Sequence, residues 1–146
     1  PVEALRRRTE EAAAKGIRVR AFLANLGPIP QHKARADFST SFLEVARFEV
    51  LRNEGFPTVE EAARAAAGSG ADLAVICSTD ETYPELVPPL ARLLKAARPD
   101  LRVYLAGAPA PEHKEAYLEA GVDDFIHVRS NCLQILTDIQ KARGLC

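Results

Sequence analysis

The most apolar stretch of the sequence is Ala71-Asp72-Leu73-Ala74-Val75-Ile76-Cys77. Its side chains are apolar at successive positions, which is typical of a strand that is buried on both faces of a parallel sheet. The other runs with the composition of strands are Ile17–Ala24, Phe48–Leu51, Leu101–Gly107 and Phe125–Val128. We therefore expect residues 71–77 to form the central strand of a five-stranded sheet.

Helix signals fall between these runs. Thr58 followed three residues later by Glu61 is a capping-box pattern, which predicts a helix over Val59–Ala67. Further helices are predicted to begin near Ala34, Leu86, Glu112 and Ser130 or Asn131. Pro88 and Pro89 are expected in the first turn of the Leu86 helix, because prolines deeper in a helix break it. The alternation predicts an α/β fold with an open parallel sheet in the flavodoxin-like order 2-1-3-4-5 and helices on both faces.

The chain has 146 residues, which is enough for one domain with a substantial core. Residues 1–15 have the composition of a helix but few large apolar side chains. We expect an N-terminal helix or a linker remnant there, followed by one α/β domain over residues 16–146. Because the sequence begins at Pro1 and contains no Met, we expect that it lacks its native start.

Charge and cysteine content exclude several classes of protein. The formal net charge is -1, so the sequence lacks the excess of basic residues that is typical of nucleic-acid-binding proteins. No apolar run approaches the roughly 20 residues of a membrane helix. Cys77, Cys132 and Cys146 are odd in number and lack the spacing of zinc ligands, which fits a reducing compartment. We therefore expect a cytoplasmic protein without a structural metal.

The loops after the strands should hold any ligand site, because ligands of this fold bind at the carboxyl ends of the strands. These loops carry neither a Gly-rich phosphate loop nor the acidic cluster of a phosphoryl-accepting receiver domain. The first loop, Leu26–Lys33, offers His32, two prolines and no acidic residue. We interpret this loop as a former ligand site whose functional residues have been replaced. We therefore predict no catalytic residue in the chain.

Four blocks of the sequence resemble the small subunit of heteromeric methylmalonyl-CoA mutase, in its C-terminal cobalamin-binding-like domain. These blocks are Leu26–Pro28 with Gln31–Thr40, Asn53–Phe56, Ile76–Pro88 and Phe125–Cys132. The resemblance covers nearly the whole chain from Gly16 on. It implies a heterodimer in which the catalytic large subunit binds adenosylcobalamin and interconverts succinyl-CoA and methylmalonyl-CoA. It also implies that this chain binds no cofactor itself.

The resemblance indicates a degenerate cobalamin site. The family's catalytic subunit binds cobalamin through Asp-x-His-x-x-Gly after the first strand, where the His coordinates cobalt. Ile29, Gln31 and Ala34 occupy the three defining positions of that motif here. The Ser of the family's Ser-x-Leu is present as Ser78, and one Gly of its Gly-Gly is present as Gly107. His32, Ser78 and Gly107 are therefore the predicted remnants of the site.

Two alternatives stay open at this point. His32 lies one residue from the ligand position, so a shifted loop would bring its imidazole to the cobalt of a true cobalamin-binding module. Alternatively, the polar loop Ser78–Tyr83 serves an interaction or small-molecule sensor domain of the same fold. The degenerate interpretation instead treats His32 as a solvent-facing loop residue.

Overall fold

The sheet has five parallel strands in the order β2-β1-β3-β4-β5, in a computed structural model that describes residues 1–146. The strands are β1 Arg20–Asn25, β2 Glu49–Leu51, β3 Leu73–Cys77, β4 Arg102–Ala106 and β5 Asp124–Ile126. The helices are α1 Val2–Ala14, α2 Ile29–Glu44, α3 Val59–Ala67, α4 Tyr83–Ala97, α5 Pro111–Ala120 and α6 Cys132–Ala142. The predicted fold class and strand order are confirmed.

The central strand β3 pairs with β1 on one side and with β4 on the other. Ala74 and Ile76 pack into one apolar cluster with α3, α4 and α5, whereas Leu73, Val75 and Cys77 pack into a second cluster with α1, α2 and α6. Both faces of β3 are therefore covered, which explains why its sequence is continuously apolar. None of the helices is long and apolar enough to cross a membrane.

Helix α2 begins at Ile29, five residues before the predicted start at Ala34. Pro28 occupies the N-cap position with an extended backbone, and Pro30 lies in the first turn. Proline is well tolerated there because the first N–H groups of a helix have no intrahelical partner. The loop between β1 and α2 is therefore only Leu26-Gly27-Pro28, and His32 is a helical residue.

The prediction that Pro88 and Pro89 occupy the first turn of α4 is wrong, because α4 begins at Tyr83 and both prolines lie inside it. Each proline removes one bond to a carbonyl four residues earlier, at Pro84 and Glu85. Those two residues are exposed, so water can satisfy their carbonyl groups. The buried face of the helix, which includes Val87, keeps α4 packed on the sheet despite these losses.

Helix α1 packs against α6 through a buried glutamine. Gln140 Nε2 donates to the Leu5 carbonyl oxygen at 2.8 Å and to Thr9 Oγ1 at 3.0 Å. Arg8 Nε donates to Gln140 Oε1 at 2.9 Å, so both polar ends of this amide are satisfied. Leu5 is buried in the cluster that covers the α6 side of the sheet. Residues of α1 thus contribute directly to the core.

Candidate functional site

The candidate site lies at the carboxyl ends of β1, β3 and β4. The chain leaves β1 and β3 toward opposite sides of the sheet, and such a switch point is where open α/β sheets bind ligands. Most of the buried polar side chains lie at these strand ends or on α2, which covers them: Asn25, His32, Ser39, Thr40 and Ser78. The polar character of this edge sets it apart from the rest of the core.

Gln31 fills the crevice between β1 and β3. Its Nε2 donates to Ser78 Oγ at 2.8 Å and to the Leu26 carbonyl oxygen at 3.2 Å. Thr82 Oγ1 also donates to Ser78 Oγ, at 2.9 Å. A methyl group on Gly27 would lie 2.5 Å from Gln31 Nε2, so the amide sits directly on the bare backbone of that glycine. The Ser78 hydroxyl is thus held by an amide and a second hydroxyl, and no general base contacts it.

Arg35, one turn further along α2, covers the end of β4. Its Nη1 lies 2.9 Å from Asp80 Oδ1 and donates to the Ser78 carbonyl oxygen at 3.3 Å. A methyl group on Gly107 would lie 2.9 Å from the same Nη1. Although burial disfavours its charge, the contacts with Asp80 and Tyr83 raise the pKa of Arg35 above its ordinary value. The guanidinium therefore stays charged.

The buried phenol of Tyr83 ties the ends of β3 and β4 together. The Ser78 amide donates to its hydroxyl at 2.9 Å, and that hydroxyl donates to the Ala106 carbonyl oxygen at 2.7 Å. The Arg35 guanidinium carbon lies 5.5 Å from the centre of the ring, within range of a cation–π interaction. Burial raises the pKa of Tyr83 far above its ordinary value, so the phenol is a neutral structural group.

The expectation that His32 faces solvent is wrong, because the residue is buried. Its side chain is only 3% exposed, and its Nδ1 lies 3.1 Å from the Gly27 carbonyl oxygen. The ring packs on Gly55, where a methyl group would lie 2.5 Å from His32 Cε1. The error follows from the early start of α2, which places His32 on the face of the helix that packs on the sheet.

The three predicted remnant residues do not converge on one space. His32 borders a cavity beside the β2–α3 loop, whereas Gly107 borders a cavity beside β5. Ser78 lies between them, where Gln31 and Arg35 contact it. No three His, Cys, Asp or Glu side chains come together as a candidate metal site.

Sequence reasoning assigned no role to Arg35 and named Tyr83 only as the end of the polar loop Ser78–Tyr83. Arg35 lies four residues after Gln31, and a spacing of four places two side chains on the same face of a helix. That signal becomes visible only once α2 is known to begin at Ile29. Tyr83 carries no signal of its own, because its partners Ser78 and Ala106 come together only through the pairing of β3 and β4.

Solved structures with a similar fold include a cobalamin-binding protein from Desulfitobacterium hafniense, with a TM-score of 0.66 and 19% identity over 97% of this chain and 67% of that one. A CheY-like protein from Pseudomonas aeruginosa has a TM-score of 0.64 and 22% identity over 88% of this chain and 95% of that one. At these identities the likeness concerns the fold alone.

Sequence comparison gives a closer relationship, although no family model matches the chain. The methylmalonyl-CoA mutase small subunit of Porphyromonas gingivalis is 38% identical over 98% of this chain, and that of Streptomyces virginiae is 38% identical over 83%. A probable small subunit of Mycobacterium tuberculosis is 33% identical over 97%. The chain spans between 20% and 23% of the length of these proteins. The chain is therefore related, over nearly its whole length, to one domain-sized segment of the methylmalonyl-CoA mutase small subunits.

Proposed function

We propose that this chain is a degenerate cobalamin-binding-like domain that binds no cobalamin and supports a catalytic mutase subunit. The observation that carries the proposal is the packing of Gln31, Ser78 and Thr82 in the crevice between β1 and β3. Side chains of the protein occupy the space at the switch point that a ligand of this fold would use. Arg35 covers the neighbouring space over Gly107.

The residues in the first turn of α2 suit cobalt poorly. Imidazole nitrogen is a good ligand for transition metals, whereas an amide offers only a carbonyl-type oxygen. Gln31, which stands at the ligand position in the family resemblance, already donates its amide hydrogens to Ser78 and Leu26. Ile29 stands where the family has an orienting carboxylate, and loss of such a partner typically weakens metal binding about 10–100-fold. These features support a site without cobalamin.

The name "small subunit" of the relatives implies a second, larger subunit. On this proposal the larger subunit carries adenosylcobalamin, which supplies the radical chemistry, and interconverts succinyl-CoA and methylmalonyl-CoA. This chain contributes surface and rigidity to the assembly and no reacting group. The polar packing of Gln31, Ser78 and Tyr83 at the carboxyl edge fits that role, because their hydrogen bonds restrain the ends of β1, β3 and β4.

One observation favours the alternative in which His32 coordinates cobalt. A metal-ligating histidine usually donates its other ring N–H to a carbonyl or carboxylate oxygen. His32 Nδ1 faces the Gly27 carbonyl oxygen in that way. The ring is buried against Gly55, however, so the β2–α3 loop would have to open before cobalt could approach.

Titration with hydroxocobalamin at micromolar concentrations should leave its visible absorption spectrum unchanged, because the crevice is filled and the His32 imidazole is buried. The control variants are His32→Ala and His127→Ala, which separate the buried imidazole from another histidine at the same edge. A spectral change that His32→Ala abolishes and His127→Ala preserves would establish the alternative and overturn the proposal.

We expect this chain to associate with the catalytic subunit without binding cobalamin itself. Surface plasmon resonance with the immobilised catalytic subunit should detect binding of the chain with equal affinity in the presence and absence of adenosylcobalamin. Gln31→Ala, which opens the crevice at a half-buried position, should bind equally well. Absence of binding under both conditions would contradict the supporting role.

A further inference from the structure

A cavity of about 310 Å³ opens beside Arg35, between α2 and the carboxyl ends of β4 and β5. We propose that this cavity binds a small molecule with an apolar body and a single carboxylate, and that Arg35 receives the carboxylate. This ligand site goes beyond the supporting role described above and does not depend on it. It also lies on the opposite side of Ser78 from the cavity beside His32.

The walls of the cavity are mainly apolar. They are formed by Ala34, Phe38, Ala106, Ala108, Ile126 and Val128. The volume lies near the lower end of the range of small-molecule sites, about 300–1,000 Å³, which fits a ligand with one ring or a short branched chain. Arg35 is the permanently charged residue among the lining residues, His127 adds an imidazole, and none of them is acidic. The cavity thus combines apolar contact area with one positive group.

The donors of Arg35 are only partly used. Both of its polar contacts, with Asp80 and with the Ser78 carbonyl oxygen, involve Nη1. Nε and Nη2 donate to no protein group, although the guanidinium is held in place against the Tyr83 ring. A guanidinium that is fixed before binding loses little entropy when a ligand arrives, and its fork of donors matches the two oxygens of a carboxylate.

Several backbone amides around the cavity are already used, but those of Ala108 and Val128 donate to no protein group. The Gly107 amide donates to the Ile126 carbonyl oxygen at 2.8 Å, and the His127 amide donates to Ser130 Oγ at 3.0 Å. Ala34 and Arg35 lie inside α2, where backbone amides bond along the helix. The guanidinium, with its fork of donors set in mainly apolar walls, suits a carboxylate on an apolar body.

Asp80 is the carboxylate that pairs with Arg35 in the absence of a ligand. Its side chain is 64% exposed, so the pair is weak and Asp80 can move away at little cost. A ligand carboxylate brings a second negative charge to the same guanidinium, and Asp80 opposes it. Removal of the Asp80 charge should therefore strengthen binding.

Benzoate is the probe, and benzamide is the neutral molecule of matching shape. In two-dimensional NMR spectra, benzoate at millimolar concentrations should shift the amide signals of Gly107 and Val128. The unmodified chain should bind benzamide at least about tenfold more weakly than benzoate, because the charge-assisted bond is lost. The variant Arg35→Gln should bind benzoate more weakly by a similar factor for the same reason. Arg52→Gln is the matched control, since Arg52 pairs with Asp37 away from the cavity and its loss should change nothing. Equal binding of benzamide and benzoate would overturn the proposal.

Asp80→Asn keeps the proposal testable if Arg35→Gln does not fold. This exposed substitution should tighten benzoate binding about 2- to 5-fold and leave benzamide unaffected. An unchanged or weakened affinity for benzoate would overturn the role of Arg35. Cobalamin binding, if found, would contradict the proposed function but not this result, because the benzoate experiment contains no cobalamin.

Discussion

Gly55→Ala should lower the free energy of unfolding by about 3–5 kcal/mol. Gly55 has a φ angle of +107°, in the region that side-chain-bearing residues rarely adopt. A methyl group there would also lie 2.5 Å from His32 Cε1 and 2.6 Å from the Gly27 carbonyl oxygen. The substitution therefore combines backbone strain with two steric clashes.

Neither clashing group can move away easily. His32 is buried, and its Nδ1 contacts the same Gly27 carbonyl oxygen. Gly27 itself donates its amide to the Phe56 carbonyl oxygen at 2.9 Å, directly beside Gly55. Leu26 and Phe56 form a parallel bridge that extends the pairing of these loops. The β1–α2 and β2–α3 loops are thus interlocked, and a new methyl group would separate them.

Urea unfolding followed by circular dichroism would measure the effect. Gly70→Ala is the matched control, because Gly70 also has a positive φ, +75°, but no atom lies within 4 Å of the added methyl group. It should cost about 1–2 kcal/mol from backbone strain alone. Adding His32→Ala to Gly55→Ala should not restore stability, because the clash with Gly27 persists. Equal losses for Gly55→Ala and Gly70→Ala would contradict the interlock.

The fold could be predicted from the sequence because its signals are local. The apolar run that contains β3 predicts a central strand by itself, and Thr58 caps α3 through a bond from the Glu61 amide as the pattern requires. Asn131 likewise caps α6. Such features depend on residues within one turn or one strand, so no knowledge of the tertiary structure is needed.

The site could be predicted only in part. The family resemblance directs attention to Gln31 and Ser78, but their 2.8 Å bond joins residues far apart in the sequence. The prediction that His32 faces solvent was wrong because the environment of this side chain depends on where α2 begins. The sequence reasoning placed His32 in a loop, whereas in α2 it lies four residues before the buried Ala36 and therefore on the same face of the helix. Two prolines next to the true start favoured a loop over a helix there.

Raising the pH from about 8 to about 10.5 should lower the free energy of unfolding by about 4 kcal/mol. Burial raises the pKa of the Cys77 thiol from 9.0 to about 12 and that of Tyr104 from 10.0 to about 12. Burial also raises the pKa of Tyr83 from its ordinary value of 10.0. All three groups keep their protons in the folded protein over this range of pH.

The sign of the effect follows from proton binding. Above about pH 9 the unfolded chain begins to lose protons from these groups at their ordinary pKa values, whereas the folded chain retains them. The unfolded state therefore binds fewer protons, and stability falls as the pH rises. At about pH 10.5 the expected loss is about 2 kcal/mol from Cys77 and about 1 kcal/mol from each tyrosine. The stabilisation is fully present below about pH 9.

Cys77→Ser isolates the largest part of this effect. Cys77 Sγ lies 3.7 Å from Ser39 Oγ, so a hydroxyl group at this position has a hydrogen-bond partner, and unlike the thiol it does not titrate in this range. Urea unfolding in the presence of a reductant at both pH values should show a drop that is about 2 kcal/mol smaller than for the unmodified chain. Cys146→Ser, which removes an exposed thiol, is the control and should show the full drop. Identical drops for the two variants would contradict the assignment to Cys77, because folding buries the Cys77 thiol and leaves the Cys146 thiol exposed.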